Sequence, residues 1–180
     1  GFIGGLLEHT LSVTKLCDFY TKQYPILNRD LLITSAICHD IGKVYIRDEI
    51  LLKPGPLTEE EMEIVKTHTE LGAEGIREMY EKNPSDSLKM AMDIAKYHHE
   101  KWDGTGYPCG LAGDEIPLSA RILAVVDVYD ILTSNRCYRD AYTHEEAIEI
   151  MKQESGKSFD PDIIEIFLKI QKRFQKDVSH

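Results

Sequence analysis

The hydrophobic positions of this chain recur every three or four residues, the spacing of one face of an α-helix. Residues 5–24 follow this pattern and predict a helix with His9 in its first turns, which ends before the capping-type residue Asn28. The last third predicts two amphipathic helices, separated by a turn in which Asp160 caps the second helix and Pro161 is its first residue. No run of useful length alternates apolar and polar residues as strands do, and no internal repeat is present. The pattern predicts an all-α fold.

Two further runs are almost wholly apolar and predict buried helices: RDLLITSAICHDIGK from residue 29 and IPLSARILAVVDVYDILTS from residue 116. The first delivers His39 and Asp40 at its C-terminal end, ahead of Gly42, a residue type that is common just past a helix end. The second carries Asp127 inside an otherwise apolar surface. A carboxylate in such surroundings needs a partner.

Helix boundary signals place the remaining histidines. Thr58 and Glu61 have the spacing of a capping box, and His68 is expected on the helix that this box starts. The next predicted helix ends in His98 and His99, where the loop EKWDGTGYP follows at once and a helix cannot continue. Since neighbouring residues of a helix point about 100° apart, these two histidines cannot share one core-facing stripe.

Composition narrows the class of protein. A length of 180 residues with 42% hydrophobic content predicts one globular domain over residues 1–180. Neither an apolar run of membrane-spanning length nor a signal peptide is recognisable, so a cytoplasmic protein is expected. The four cysteines have no close pair spacing, which favours reduced thiols over a disulfide or zinc framework. The net charge of −10 argues against a broad nucleic-acid surface, and a phosphate-ester substrate would need bound cations nearby.

Ligand-type side chains recur along the predicted helices and helix ends: His9, His39, Asp40, His68, His98, His99 and Asp127. Each could have an ordinary structural role by itself, such as a half-buried helix histidine or a core carboxylate bonded to backbone. Together, however, they interrupt two of the most apolar helices, at Asp40 and Asp127. We therefore favour a metal site over seven separate structural roles.

Seven ligands exceed the number that one tetrahedral zinc uses, and the two oxygens of Asp40 could bridge two ions. Paired metals about 3.5–4 Å apart activate a water and recur in enzymes that catalyse displacement at phosphorus. Imidazole-rich ligation suits transition metals rather than an all-oxygen magnesium site. The expected cofactor is two divalent ions, with iron or manganese preferred and zinc, nickel or cobalt as alternatives.

The motifs resemble the HD-GYP domains of the HD superfamily of metal-dependent phosphohydrolases. The residues that carry the resemblance are HDIGK, HHEKWDGTGYP, IPLSARI and DVYDILTSNRCYR, with LKPGPLTEEE and GKSFDP in support, and they cover most of the chain in order. The resemblance implies an HD-domain helical bundle with an HD-GYP loop and C-terminal helices. It also implies a bacterial signalling enzyme that hydrolyses cyclic di-GMP to pGpG, GMP or both through a metal-bridging hydroxide.

By position in the motifs, the resemblance implies that one metal is held by three residues: His9, His39 and Asp127. It implies that the other metal is held by His68, His98 and His99. Asp40 would bridge the two. The family's substrate contacts correspond to four residues: Lys43, Tyr107, Arg136 and Arg139. Lys43 would face a phosphate or the leaving oxygen, and Arg136 with Arg139 would bind phosphate or guanine. Each has an alternative role outside a substrate site. Lys43 would be a helix-end lysine favoured by the helix dipole, and Tyr107 would pack the loop. Arg136 and Arg139 would be surface cations.

The chain departs from the family pattern at three places. Gly5 stands where some members have a glutamate for a third metal, so two metals are favoured. Cys137 replaces the usual proline beside Arg136. The opening GGLLEHTLSV is more similar to the HD domains of certain bacterial exoribonucleases, which keeps short RNA or a nucleotide as an alternative substrate.

A non-catalytic domain that senses the dinucleotide is the third alternative. The chain begins close to His9, so we expect a domain excised from a longer protein, with a regulatory domain or a GGDEF-type partner. The sequence is compatible with either a monomer or a homodimer.

Overall fold

Helices dominate the computed structural model, which describes residues 2–21, 28–134 and 140–174. In chain order the elements are α1 (Phe2–Thr21), α2 (Arg29–Ile37), the 3-10 helix η1 (Ile41–Tyr45), α3 (Asp48–Leu51), α4 (Glu59–Lys66), α5 (His68–Lys82), α6 (Asp86–Tyr97), the 3-10 helix η2 (Gly113–Glu115), α7 (Leu118–Thr133), α8 (His144–Gln153) and α9 (Pro161–Phe174). Across the described ranges the only β contacts are two isolated bridges. The predicted all-α fold is confirmed.

Side-chain caps start the helices where the sequence predicts them. Asn28 accepts a hydrogen bond from the backbone of Leu31 at the start of α2. Thr58 and Glu61 form the expected capping box at the start of α4. Such caps satisfy backbone N–H groups that have no partner within the helix. Pro161 is the first residue of α9, as predicted.

The expectation that His68 lies on the helix started by Thr58 is wrong. That helix, α4, ends at Lys66, and His68 is the first residue of α5. At the break, side chains cap the last carbonyls of α4 together with the backbone N–H of Thr67. The hydroxyl of Thr67 donates to the carbonyl of Ile64, and His68 Nδ1 donates to the carbonyl of Val65, each at 2.6 Å.

Gly42 also has a different role from the one expected. It lies inside η1 and does not adopt a positive φ, so it is not a left-handed helix cap. A Cβ at this position would stand 1.8 Å from the carbonyl oxygen of His68 and 2.7 Å from the amide nitrogen of Gly72. Glycine is needed because η1 lies directly against the backbone of α5.

The core is built around α7, which packs on α1, α6, α8 and α9. Its buried side chains include Leu123, Val126 and Tyr129, and the Tyr129 ring meets Phe167 of α9 edge-on at 5.2 Å. Asp127 lies in the same buried helix. None of the helices in the described part of the chain combines the length and apolar character that a bilayer crossing requires.

Candidate metal centre

Six of the seven predicted ligands fall into two clusters. Within each cluster, the candidate ligand atoms all lie within 4.8 Å of one another. One cluster contains His9 from α1, His39 from the turn after α2 and Asp127 from α7, and the other contains the remaining three: His68, His98 and His99. The grouping matches the one that the resemblance implies. Helices that are distant in sequence are therefore packed so that their histidines converge.

Asp40 lies between the two clusters. Its Oδ2 is 3.4 Å from His39 Nε2 in one cluster, whereas its Oδ1 is 3.5 Å from His68 Nε2 in the other. The same Oδ1 lies 3.9 Å from His98 Nε2. Each carboxylate oxygen thus faces a different cluster, which is the arrangement of a bridging ligand.

Three imidazoles are oriented by the helices that they follow. Nδ1 of His39 donates to the carbonyl of Ala36, and Nδ1 of His98 donates to that of Ile94, at 2.6 and 2.9 Å. His68 makes the corresponding bond to Val65. Because Nδ1 is used in this way, Nε2 of each ring is left to face the centre. Second bonds of this kind fix the tautomer and orientation of metal-binding histidines.

His9 is held by a carboxylate instead. Its Nδ1 donates to Asp130 Oδ2 at 2.6 Å, and its Nε2 lies 3.0 Å from Asp127 Oδ1. Asp127 and Asp130 are one helical turn apart on α7, and both are buried. Asp130 therefore orients His9 while Asp127 shares its cluster.

Unsatisfied atoms at the centre match what a metal would need. Among the described residues, His39 Nε2 and Asp40 Oδ1 are buried without a hydrogen-bond partner. Buried polar atoms are rarely left unpaired, because their lost hydration is not compensated. Both atoms are metal-ligand types and both face the space between the clusters. The residues present therefore fit a pair of divalent cations.

The electrostatics differ between the clusters. Burial opposes protonation of His9, but Asp127 and Asp130 outweigh it and raise its pKa to about 9. In the other cluster, burial lowers the pKa of His99 to about 4 and holds that of His98 well below its usual value. Without metals, one cluster therefore carries a proton at neutral pH, whereas His98 and His99 present neutral imidazoles.

Lys43 lies beside the carboxylate at the centre. Its Nζ is 2.5 Å from Asp40 Oδ2, and the side chain remains 30% exposed. Burial opposes the charge on Asp40, but the His39 imidazole and the Lys43 ammonium hold the pKa of this carboxyl well below its usual value. Lys43 thus combines a charged contact to the centre with access from solvent.

A family model described as HD domain matches residues 5–163, which is most of the chain. The chain belongs to the HD domain family. The match includes every residue of both clusters and Asp40, and it confirms the resemblance suggested by the sequence motifs.

Curated relatives of this HD domain include cyclic-dinucleotide phosphodiesterases from Vibrio cholerae. One, a cyclic di-GMP phosphodiesterase, is 46% identical over 99% of this chain and 36% of its own length. Another, 3′3′-cGAMP-specific phosphodiesterase 2, is 38% identical over 89% of this chain and 30% of its own length. The chain therefore spans about a third of the length of these relatives.

A solved structure has the same fold. Bd1817 of Bdellovibrio bacteriovorus, described as an HDG"Y"P protein, superposes with a TM-score of 0.69 at 19% identity, covering 97% of this chain and 53% of that one. At this identity the similarity supports the fold, and it agrees with the predicted helical bundle of the HD domain.

Tyr107, a predicted substrate contact, lies against the second cluster of this HD domain. Its ring stacks on that of His99 with centroids 4.8 Å apart and an interplanar angle of 23°. The Lys66 ammonium lies 5.5 Å from the centroid of the same tyrosine. Tyr107 therefore covers a histidine of the cluster and lies close to a cation.

Two other predicted substrate contacts, Arg136 and Arg139, lie outside the described residues, as does Cys137. Their roles stay predictions from the motif alone.

Sequence reasoning missed two buried carboxylates next to the centre, Asp130 and Glu100. A signal for Asp130 was present, because it follows Asp127 by three residues and so shares its face of an apolar helix. Glu100 gave a weaker signal, since a glutamate at the start of a glycine-rich loop is usually solvated.

Proposed function

We propose that this HD domain is a metal-dependent phosphodiesterase that hydrolyses cyclic di-GMP to linear pGpG, with GMP as a further product. The observation that carries the proposal is Asp40, whose two oxygens face two separate ligand clusters. That arrangement suits a pair of cations, and paired cations suit displacement at phosphorus. The proposed substrate is the one in the name of a 46% identical relative, a cyclic di-GMP phosphodiesterase.

Two divalent transition-metal ions are the proposed cofactor, with iron or manganese preferred. One would be held by His9, His39 and Asp127, the other by His68, His98 and His99, with Asp40 shared. When bound, the ions supply an activated water and the positive charge that the phosphate requires.

The residues around the centre account for the rest of the reaction. Water oxygen bonds to phosphorus and releases one proton, the bond from phosphorus to the 3′ oxygen breaks, and the 3′ oxygen gains one proton, so that one water is added overall. We assign to Lys43 the donation of that proton or the stabilisation of the developing negative charge; the support is that its ammonium contacts Asp40 and is reachable from solvent. Tyr107 would shape the edge of the pocket next to His99.

3′3′-cGAMP is a second candidate substrate, because a relative 38% identical over 89% of this chain is named as specific for it. The two dinucleotides differ in one base, whereas the proposed centre acts on the phosphate.

Turnover by the metal-loaded protein tests both candidates. The substrates to compare are cyclic di-GMP, 3′3′-cGAMP, linear pGpG and a short RNA, with Asp40→Ala as the inactive reference. The proposal predicts that cyclic di-GMP has the highest kcat/KM. A preference for short RNA would contradict it and favour the exoribonuclease-like alternative, and binding without turnover would favour a sensing domain.

We also propose that residues 1–180 form one catalytic domain that operates within a longer protein under a regulatory domain. Its support is that the relatives are about three times as long as the part that this chain matches.

A further inference from the structure

Glu100 is a buried carboxylate that belongs to neither ligand cluster. It follows His99 directly and is only 3% exposed. Its Oε1 accepts a hydrogen bond from the backbone of Cys109 at 2.7 Å, and its Oε2 accepts one from Leu111 at 3.0 Å. Both oxygens are therefore used to hold the far side of the loop that follows the histidine pair.

That loop, residues 100–112, folds back onto its own beginning. Asp103 and Ala112 form an antiparallel bridge at its neck, and Gly104 and Gly110 adopt positive φ values of 80° and 69°. A Cβ on Gly106 would stand 2.3 Å from the amide nitrogen of Lys101. The loop thus passes directly over the segment that carries Glu100.

The outcome of this folding is the position of Tyr107. Its backbone N–H donates to the carbonyl of His99 at 3.2 Å, and its ring stacks on the same histidine. The two Glu100 bonds lie two and four residues beyond Tyr107 in the chain. Glu100 therefore fixes the segment that returns from the tyrosine.

We propose that Glu100 is a positioning residue that keeps Tyr107 stacked on His99, so that the imidazole is held in the orientation the metal centre uses. This inference deepens the proposed function and rests on it for its kinetic consequence. Its structural part is independent of which phosphate ester the protein cleaves.

A carboxylate suits this task better than its amide. Two N–H groups converge on the side chain, and the two oxygens of a carboxylate accept from both. A glutamine has one oxygen, so its NH₂ group would face one of the two N–H donors. Glu100→Gln therefore keeps the shape of the side chain but leaves one donor without an acceptor.

The test compares Glu100→Gln with Glu115→Gln. Glu115 is a glutamate of the same loop region that is exposed and accepts from one backbone N–H, of Ala112 at 3.2 Å. Trp102, the single tryptophan of the chain, lies inside the loop and reports its order. We expect acrylamide to quench Trp102 more strongly in metal-free Glu100→Gln than in Glu115→Gln, and kcat/KM to fall about 10- to 100-fold in the first variant only.

A double variant asks whether Glu100 acts through the tyrosine. If it does, Glu100→Gln combined with Tyr107→Ala loses no more activity than Tyr107→Ala alone. Losses that multiply would overturn the proposal, as would quenching and kcat/KM of Glu100→Gln equal to those of Glu115→Gln.

Amide hydrogen exchange in the unchanged protein provides a test that needs no variant to fold. The amides of Cys109 and Leu111 should exchange slowly although Cys109 itself is exposed. Fast exchange at both would overturn the proposal. If the protein cleaved no cyclic dinucleotide, the proposed function would fail, whereas exchange and quenching would still decide the role of Glu100.

Discussion

At the scale of single residues, Asp40 has the most demanding position, since its two oxygens face different clusters. We expect Asp40→Ala to reduce activity more than alanine at any one of the six clustered residues, because it removes a ligand from both ions and a negative charge between them. Metal analysis should show a loss at both sites. Asp93→Ala is the control, because this aspartate of α6 belongs to neither cluster and pairs with the exposed Lys89. Equal mild losses for Asp40→Ala and His99→Ala would argue against a bridging role.

Asp130 is expected to act through His9. Asp130→Asn keeps the size of the side chain but removes the charge that orients and polarises the imidazole. Changes to such supporting carboxylates weaken metal affinity or activity about 10- to 100-fold. Calorimetric metal titration should show this weakening at one of two sites only. A uniform weakening at both sites would mean that Asp130 supports the fold rather than His9.

The proton on His9 gives that site its own pH dependence. The pKa of His9 is raised to about 9, and that of His39 is raised as well, despite burial, by Asp40 and Asp127. A cation must therefore displace protons at neutral pH, and affinity should rise at least about tenfold per pH unit up to about pH 9. His99, with a pKa lowered to about 4, releases no proton in this range. Titrations at several pH values should therefore separate the two sites, and parallel pH profiles would contradict the assignment.

The residues that were predicted from the sequence differ chemically from their neighbours in the chain, whereas a residue that was missed, such as Glu100, does not stand out locally. Asp127 was predicted as a ligand because a carboxylate in an apolar helix is costly to bury unless a cation or a hydrogen-bond donor faces it. Glu100 was missed because its partners are backbone N–H groups nine and eleven residues away, which only the folded loop brings together. Local pattern shows which residues have unusual chemistry, whereas tertiary contacts decide which residues support them.

At the scale of elements, the contact of η1 with α5 places both Asp40 and Lys43. Gly42→Ala would put a Cβ within 1.8 Å of a backbone oxygen, and backbone cannot move aside as a flexible side chain can. We expect a loss of about 1–3 kcal/mol or more in the free energy of unfolding, with lower activity because η1 must shift. Chemical denaturation measures the first effect.

Gly55→Ala is the matched control for that change. A Cβ on Gly55 meets nothing within 4 Å, and this glycine does not have a positive φ. Its substitution should alter the free energy of unfolding by less than about 1 kcal/mol. If both alanine variants were equally stable, the close contact between η1 and α5 would not be present in solution.

The break between α4 and α5 shows a limit of element prediction from sequence. The capping box at Thr58 was readable, but the end of α4 was not, because Thr67 keeps helical backbone angles. At this end the Thr67 hydroxyl and the His68 imidazole bond to the last carbonyls of α4, in addition to the backbone N–H of Thr67. Such capping depends on where His68 must point, and the periodicity of apolar residues does not record it.

At the scale of the whole molecule, the centre joins segments from both halves of the chain. Its proposed ligands come from α1, the turn after α2, α5, the end of α6 and α7. Ions bound at about a thousand times their Kd stabilise a fold by about 4 kcal/mol, which for a protein of this size raises Tm by roughly 10 °C. A chelator should lower Tm by this amount, and added manganese should restore it. A Tm that does not respond to either would contradict a metal centre shared among these helices.

The bonds from imidazole Nδ1 to the carbonyls of the preceding helices also bear on how quickly the centre can acquire an ion. His39, His68 and His98 lose their ring rotation when the chain folds, since each ring is already tied to its own helix end. Little conformational entropy then remains to be lost when a cation arrives. Metal capture should consequently be limited by diffusion into the centre, by removal of the ion's own hydration water and by loss of the His9 proton, rather than by rotation of these three imidazoles.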